Sequence, residues 1–186
     1  MSREIPLSAQ GPPPEVRLRS EWRAGDAERV VELHRRGYAA EGERFHAGFA
    51  DYVRQTVEAA GLGQPGNASR VWFAERGGET LGCAALIDRG GRGQLRWVVL
   101  VPEARGMGIG KALFGAAMRH AEAEGWREVY LETTDGLAAS MQLYLANGFS
   151  VTSDQEEELW DGPGRMIVMT RRLDPPPSSP PPARRA

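Results

Sequence analysis

Three segments of the chain have apolar patterns that are typical of strands, one of them alternating and two of them continuous. Residues 16–19 alternate between apolar and charged side chains, and residues 71–75 and 81–87 form two further apolar runs. Between these two runs stands the pair Gly77-Gly78. A glycine pair of this kind is typical of a tight hairpin turn. We therefore predict an N-terminal strand and, later in the chain, a β-hairpin.

Other segments show the spacing of an amphipathic helix, with apolar residues three or four positions apart. A first helix is predicted to begin with Asp26 as its N-cap, and a second to cover residues 49–60. The clearest helical pattern begins at Ile109 and stops at Gly125. A shorter helix, capped by Asp135, is predicted to end at Gly148.

The remaining apolar runs complete the predicted order of elements. Residues 95–101 predict a strand buried on both faces, residues 129–133 predict another, and two strand-like runs close the domain. The resulting order, β-α-α-β-β-β-α-β-α-β-β, combines hairpins with one strand-helix-strand crossover. We therefore predict an α+β fold with a mixed sheet. At 186 residues, the chain suits a single domain, which we place at residues 15–173.

Composition and charge narrow the possible environments. Residues 1–14 and 174–186 are rich in proline, serine and charge, so we expect disordered tails. The net charge is −2 with acidic and basic residues interspersed, which predicts no binding to nucleic acid or to a membrane surface. We expect no membrane span, because no apolar run reaches about 18 residues, and no signal peptide, because the polar, proline-rich start has no apolar segment. We expect a cytoplasmic protein.

Metal and redox chemistry have few candidate residues. The single cysteine, Cys83, lies in an apolar string and is expected to be a buried structural thiol. The three histidines, His34, His46 and His120, are scattered along the chain. No metal site is predicted.

The strongest chemical signal is the segment Arg105-Gly106-Met107-Gly108-Ile109-Gly110-Lys111. It joins a predicted strand to a predicted helix, so its amides lie at a helix N-terminus, where the helix dipole favours an anion. Its glycines let the backbone approach a ligand closely. A P-loop would have Ser or Thr at Ala112, and a dinucleotide fingerprint would have glycine at Lys111. We predict a pyrophosphate site that needs no metal.

Residues 101–110, Val-Pro-Glu-Ala-Arg-Gly-Met-Gly-Ile-Gly, resemble the acetyl-CoA motif of the GNAT superfamily of N-acetyltransferases. Residues 143–149, Leu-Tyr-Leu-Ala-Asn-Gly-Phe, resemble the helix that follows in that superfamily. The resemblance implies a three-layer fold, with a mixed, mostly antiparallel sheet of about seven strands and helices on both faces. It also implies acetyl-CoA as cosubstrate, no metal, and an acceptor that is a primary amine of a small molecule or a peptide N-terminus.

Two further segments, residues 95–97 and 130–137, resemble acetyltransferase domains that elsewhere are fused to MarR-type transcription regulators. We expect no regulator domain in this chain, so the resemblance does not imply DNA binding. A homodimer is compatible with it, and the sequence leaves the oligomeric state open.

The resemblance also implies where the cosubstrate would bind. The backbone of one strand would pair with the pantetheine arm like an added strand, and the glycine segment would hold the pyrophosphate. The residues concerned are Val98, Val99 and Leu100 for the arm, and Arg105, Gly106, Met107, Gly108, Ile109, Gly110 and Lys111 for the pyrophosphate.

Acetyl transfer to an amine needs a neutral nucleophile, a stabilised oxyanion and a protonated leaving thiol. Tyr144 matches the family tyrosine that protonates the thiolate, although its helical spacing also suits a core aromatic. Glu132 lies where relatives that acetylate protein N-termini carry their base, and it is equally compatible with a solvated strand residue. Those relatives usually have an arginine and an asparagine where this chain has Thr133 to Leu137. A backbone N–H on the strand ending at Val101 would face the oxyanion.

Three residues lie where the superfamily has its variable substrate loop: Glu41, Glu43 and His46. Acidic residues there would suit a cationic amine, although each is also typical of a solvated loop. Two function classes stay open: an acetyltransferase, and a catalytically idle GNAT-like domain that binds acyl-CoA as a sensor or assembly module. A metal-dependent nucleotide hydrolase is disfavoured by Ala112.

Overall fold

The computed structural model of the protein describes residues 15–42, 45, 47–160 and 162–173. The predicted tails and the predicted substrate residues Glu43 and His46 lie outside the described residues. Helices and strands follow the predicted order. They are β1 (Arg17–Arg19), α1 (Asp26–Gly37), α2 (Ala47–Ala59), β2 (Arg70–Arg76), β3 (Glu79–Asp88), β4 (Gly93–Leu100), α3 (Ile109–Ala123), β5 (Glu128–Thr134), α4 (Ala138–Ala146), β6 (Ser150–Leu159) and β7 (Gly162–Arg172). A 3₁₀ turn at Pro102–Ala104 lies between β4 and α3.

The strands form one seven-stranded sheet in the order β1-β2-β3-β4-β5-β7-β6. Strands β4 and β5 run parallel, and the other neighbouring pairs are antiparallel. The predicted hairpin is confirmed, since Gly77 and Gly78 turn between β2 and β3 with φ angles of 57° and 88°. The mixed, mostly antiparallel α+β sheet is therefore as predicted.

Helices cover both faces of the sheet. Successive strand residues point to opposite faces. On β2, Trp72 contacts His120 of α3, with ring centroids 5.5 Å apart, whereas Phe73 contacts Trp22, at 6.3 Å. Helices α1 and α2 pack against each other, and α1 packs on β3 and β4. The core lies between these layers.

The sequence predicted Asp26 as the N-cap of α1, and this prediction is wrong. The N-cap is Gly25, with φ 86°, and Asp26 lies in the first turn with its side chain 0% exposed. Its carboxylate pairs with Arg19 of β1 at 2.8 Å and accepts a hydrogen bond from the backbone N–H of Arg23 at 2.8 Å. The carboxylate is therefore used to hold α1 against β1.

The predicted cap of α4 is also wrong. The N-cap of α4 is Leu137, and no side chain makes a capping hydrogen bond there. Asp135 instead accepts hydrogen bonds from the backbone N–H of Arg165 and from the Thr134 hydroxyl, both at 3.0 Å. The Asp135 side chain bonds to β7 because the N–H of Arg165 lies just beyond the last residue pair between β5 and β7, Thr134 with Met166.

Strand β4 leaves β5 after three residue pairs, which join residues 93–95 to residues 129–131. A bulge opposite β3 follows, where Trp97 has a φ of 50° and its carbonyl accepts a hydrogen bond from the buried Cys83 thiol at 3.2 Å. Cys83 is thus a buried structural thiol, as predicted. Beyond Leu95, β4 has no strand partner on its β5 side, so the sheet splits open there.

Candidate functional site

Two adjoining cavities lie at the split between β4 and β5. One, of about 90 Å³, we call the aromatic cavity, because eight of the eighteen residues that line it carry aromatic rings. The other, of about 200 Å³, we call the groove; it runs between β4 and the start of α4. Tyr38, Val98 and Leu137 line both. The rings of the aromatic cavity belong to His34, Tyr38, Phe45, Phe49, Tyr52, Trp97, Tyr144 and Trp160.

The groove brings together several of the residues predicted to bind the cosubstrate. Val98, Val99 and Leu100 form one side, residues 138–140 of α4 lie opposite, and Gly110 is at one end. The sequence predicted a strand buried on both faces, whereas Val98 and Leu100 are only half-buried. The reason is that they border the groove where the neighbouring strand has turned away.

The glycine segment forms an open turn at the N-terminus of α3. Gly106 and Gly108 have φ angles of 76° and 77°, which other residues rarely adopt, and no atom lies where their Cβ atoms would stand. Gly108 is the N-cap, and no side chain caps the first turn. Ile109 packs its side chain in the core, so only its amide can reach a ligand. The free amides and the open space fit an anion such as a pyrophosphate.

The end of α1 is held closely against this turn. A Cβ on Gly37 would collide with Val99 and crowd the Leu100 carbonyl, so only glycine fits. The Arg105 guanidinium donates a hydrogen bond to the Gly37 carbonyl and lies 3.4 Å from the Glu41 carboxylate. Glu41, predicted to bind the acceptor, therefore lies in the groove beside the predicted cosubstrate residue Arg105.

Tyr144 and Glu132, the predicted catalytic residues, both line the aromatic cavity. Tyr144 is 7% exposed, and its ring lies 6.2 Å from that of Phe149. Burial raises the pKa of Tyr144 above its ordinary value of 10.0, so the hydroxyl keeps its proton. Glu132 is exposed, and its carboxylate accepts a hydrogen bond from the Gln94 side chain at 3.3 Å.

Sequence reasoning gave no chemical role to His34 or Tyr38. Burial, with the charge of Glu41 adding to it, raises the pKa of Tyr38 to about 12. The pKa of His34 is lowered to about 4, mainly by burial and in part by the positive charge of Arg96, while the hydrogen bond between Nδ1 and the Val30 carbonyl opposes this shift. His34 is therefore a neutral side chain at physiological pH.

Arg96 and Trp160 were also given no role at the site. Arg96 donates a hydrogen bond to the Tyr52 hydroxyl at 2.8 Å, and Trp160 stacks on the Tyr52 ring at 5.2 Å. The sequence could have indicated a role for Arg96, because Arg96 is the single charged residue in the otherwise apolar run 95–101. The signal for Trp160 was weak, since it lies far away in sequence.

Within the described part of the chain, no group of His, Cys, Asp and Glu side chains could hold a metal ion. Among the described helices, none combines the length and the hydropathy that crossing a bilayer requires.

Residues 27–149 match the family described as "Acetyltransferase (GNAT) family". This match covers more than half of the chain. N-acetyltransferase 8F1 of Rattus norvegicus is 34% identical over 90 residues, which is 45% of this chain and 41% of that protein. The chain spans about half the length of the curated relatives that it matches.

Solved structures share the fold. An acetyltransferase from Streptococcus agalactiae matches with a TM-score of 0.68 and 17% identity, over 86% of this chain and 99% of that one. A GCN5-related N-acetyltransferase from Kribbella flavida matches with a TM-score of 0.66 and 20% identity, over 86% and 98% of the two chains.

Proposed function

Because the chain belongs to the GNAT family of acetyltransferases, we propose that it is an acetyl-CoA-dependent N-acetyltransferase whose acceptor is a primary amine of a small molecule or peptide. One observation carries the proposal. The split between β4 and β5 joins a groove that ends at a helix N-terminus to a cavity that contains a buried tyrosine.

The residues present fit acetyl-CoA. The amides of residues 106–110 would hold its pyrophosphate, whereas the amide of Arg105, also predicted to do so, already donates to the Pro102 carbonyl at 3.2 Å. The unpaired backbone of residues 98–100 would hydrogen-bond its pantetheine arm. When bound, acetyl-CoA supplies the activated acetyl thioester. The space at Gly106 and Gly108 keeps the approach to the turn open.

Each remaining chemical task has a candidate in this chain. Tyr144 keeps its proton because it is buried, so it can protonate a leaving thiolate. Glu132 borders the cavity, where its carboxylate can attract an ammonium and accept its proton. A backbone N–H of β4 beyond Leu95 can stabilise negative charge on the acetyl oxygen. Tyr38 lines both cavities and is the alternative proton donor.

The experiment is a screen of amine acceptors with acetyl-CoA, in which the released thiol is measured. We expect thiol release to depend on the amine, and a mass increase of one acetyl group on the acceptor. Binding of acetyl-CoA with no transfer to any amine would contradict the proposal. It would favour the alternative, a catalytically idle acyl-CoA-binding module.

A further inference from the structure

The aromatic cavity is lined by one charged side chain from each of its two strands. Arg96 lies on β4 and Glu132 on β5, each one residue beyond Leu95 and Leu131, which form the last parallel pair of the two strands. In the region that the structure describes, neither side chain takes part in an ion pair. Their hydrogen-bond partners are the neutral groups of Tyr52 and Gln94.

Three of the residues that line this cavity carry hydrogen-bond donors, namely Tyr52, Arg96 and Trp160. The Tyr52 hydroxyl accepts from Arg96, so its own hydrogen remains free to donate. Trp160, which stacks on Tyr52, has a buried indole N–H with no hydrogen-bond partner among the described residues. Leaving a buried donor unsatisfied is unfavourable, so this N–H indicates a missing acceptor. A guanidinium, a hydroxyl and an indole N–H together fit a carboxylate.

The other walls fit a flat apolar group. Phe49 lies between Phe45 and Trp160, with ring centroids 5.2 Å and 4.9 Å away. Rings at these distances and angles favour a further aromatic ring over a flexible polar chain. The cavity also holds few charges, which disfavours a polyamine with several cationic centres.

We propose that the acceptor is a free α-amino acid with an aromatic side chain, an inference that rests on the proposed acetyl transfer. Its carboxylate binds at Arg96 and Trp160, and its ammonium faces Glu132. Glu132 takes one ammonium proton, and Tyr144 protonates the sulfur as the thioester C–S bond breaks. The amide N–C bond forms, and the second displaced ammonium proton restores Tyr144.

The first experiment compares L-phenylalanine, L-phenylalaninamide and 2-phenylethylamine as acceptors, because these share the ring and the amine and differ at the carboxylate. We expect kcat/KM for L-phenylalanine to exceed the other two by about ten- to a hundredfold, as for a lost hydrogen bond to a charged group. Equal or better use of 2-phenylethylamine would overturn the inference.

The second experiment repeats the comparison with Arg96→Gln and Trp160→Phe. Arg96→Gln should abolish the preference for the carboxylate, and Trp160→Phe, which keeps an aromatic ring, should weaken it. Arg92→Gln is the matched control, because Arg92 pairs with Glu128 and does not line the cavity. Folding is checked by thermal melting. A folded Arg96→Gln protein that keeps the full preference would overturn the inference.

Calorimetry separates this inference from the proposed function, because it measures binding without transfer. With CoA present, L-phenylalanine should bind the wild-type protein and should bind Arg96→Gln at least tenfold more weakly. Binding that depends on Arg96 without any acetyl transfer would support the ligand class and contradict the acetyltransferase. Transfer to other amines without L-phenylalanine binding would overturn the ligand class alone.

Discussion

Tyr144 and Tyr38 border the same split in the sheet, and burial raises the pKa of both hydroxyls. The raised pKa keeps each hydroxyl in the protonated form that a donor needs, and it also makes each hydroxyl a weaker acid toward a thiolate. The two residues differ in position, since Tyr38 also lines the groove. Substitution can therefore decide which of them donates the proton.

We expect Tyr144→Phe to lower kcat by on the order of ten- to a thousandfold and to leave the affinity for acetyl-CoA nearly unchanged. The substitution removes a proton donor and keeps the ring that packs near Phe149. Steady-state kinetics measures the effect, with Tyr130→Phe, which does not line the aromatic cavity, as control. Wild-type turnover in Tyr144→Phe would leave Tyr144 as a core aromatic and make Tyr38 the next donor to test.

Asp26 and Arg19 form a buried ion pair that Arg29 and the Arg23 backbone N–H support. Removing one charge of such a pair is costly, so Asp26→Asn should lower the free energy of unfolding by about 3 kcal/mol. That corresponds to a fall in Tm of roughly 6–12 °C. Glu21→Gln is the control, since the pair of Glu21 with Arg23 is exposed, and its effect should stay below about 1 kcal/mol.

The same pair makes stability depend on pH. Burial alone would raise the pKa of Asp26, but the Arg19 guanidinium and the Arg23 N–H outweigh it and lower the pKa below its ordinary value. The contribution to stability is therefore complete above the unfolded pKa near 3.9 and is lost as the pH falls toward the folded pKa. Denaturant unfolding should show the difference between wild type and Asp26→Asn shrinking below about pH 4. A constant difference down to pH 3 would contradict this assignment.

At the level of secondary structure, two glycines of α3 make it possible to distinguish an effect on ligand binding from an effect on helix stability. Gly110 lies in α3 with an ordinary helical φ and borders the groove, whereas Gly115 lies further along the same helix. Both glycines can become alanine without backbone strain. Alanine favours a helix over glycine by up to about 1 kcal/mol.

We expect Gly110→Ala to weaken acetyl-CoA binding about tenfold or more, because a methyl group would enter the groove. Gly115→Ala should bind acetyl-CoA normally. Thermal melting should show that both variants are folded, and calorimetry should separate their affinities. Equal affinity of the two variants would mean that the groove does not hold acetyl-CoA.

The elements themselves were largely predictable, because helix and strand periods are local properties of the sequence. Both predicted capping aspartates were wrong, because Asp26 and Asp135 found long-range partners in Arg19 and the backbone of Arg165. The glycine segment could be predicted as a binding site because its residues are consecutive in the sequence. The aromatic cavity could not be predicted, since rings from α1, α2 and residue 160 meet there only after folding.

At the scale of the whole molecule, ligand binding should be visible as stability. Acetyl-CoA at a hundred times its Kd would add about 2.7 kcal/mol, which raises Tm by roughly 5–10 °C in a chain of this size. Differential scanning fluorimetry should show the rise without added metal and unchanged by EDTA. An unchanged Tm at millimolar acetyl-CoA, or a strict need for magnesium, would contradict the proposed cosubstrate.

Several predictions about the whole protein stay predictions. They are the cytoplasmic location, the homodimer and the resemblance to domains fused to MarR-type regulators. Sequence patterns report the fold of a chain more directly than its location or its partners.

The split between β4 and β5 also bears on aggregation. Unpaired peptide groups on a strand normally invite a foreign strand to add, which is the hazard of an exposed sheet edge. Here the unpaired stretch lies inside the molecule, where Tyr38, Leu137 and Leu143 flank the approach. An ordinary peptide strand carries a side chain at every residue and would meet these walls, whereas a slender unbranched amide chain would not. The fold thus leaves the unpaired peptide groups of β4 accessible to narrow ligands and shields them from strands of other proteins.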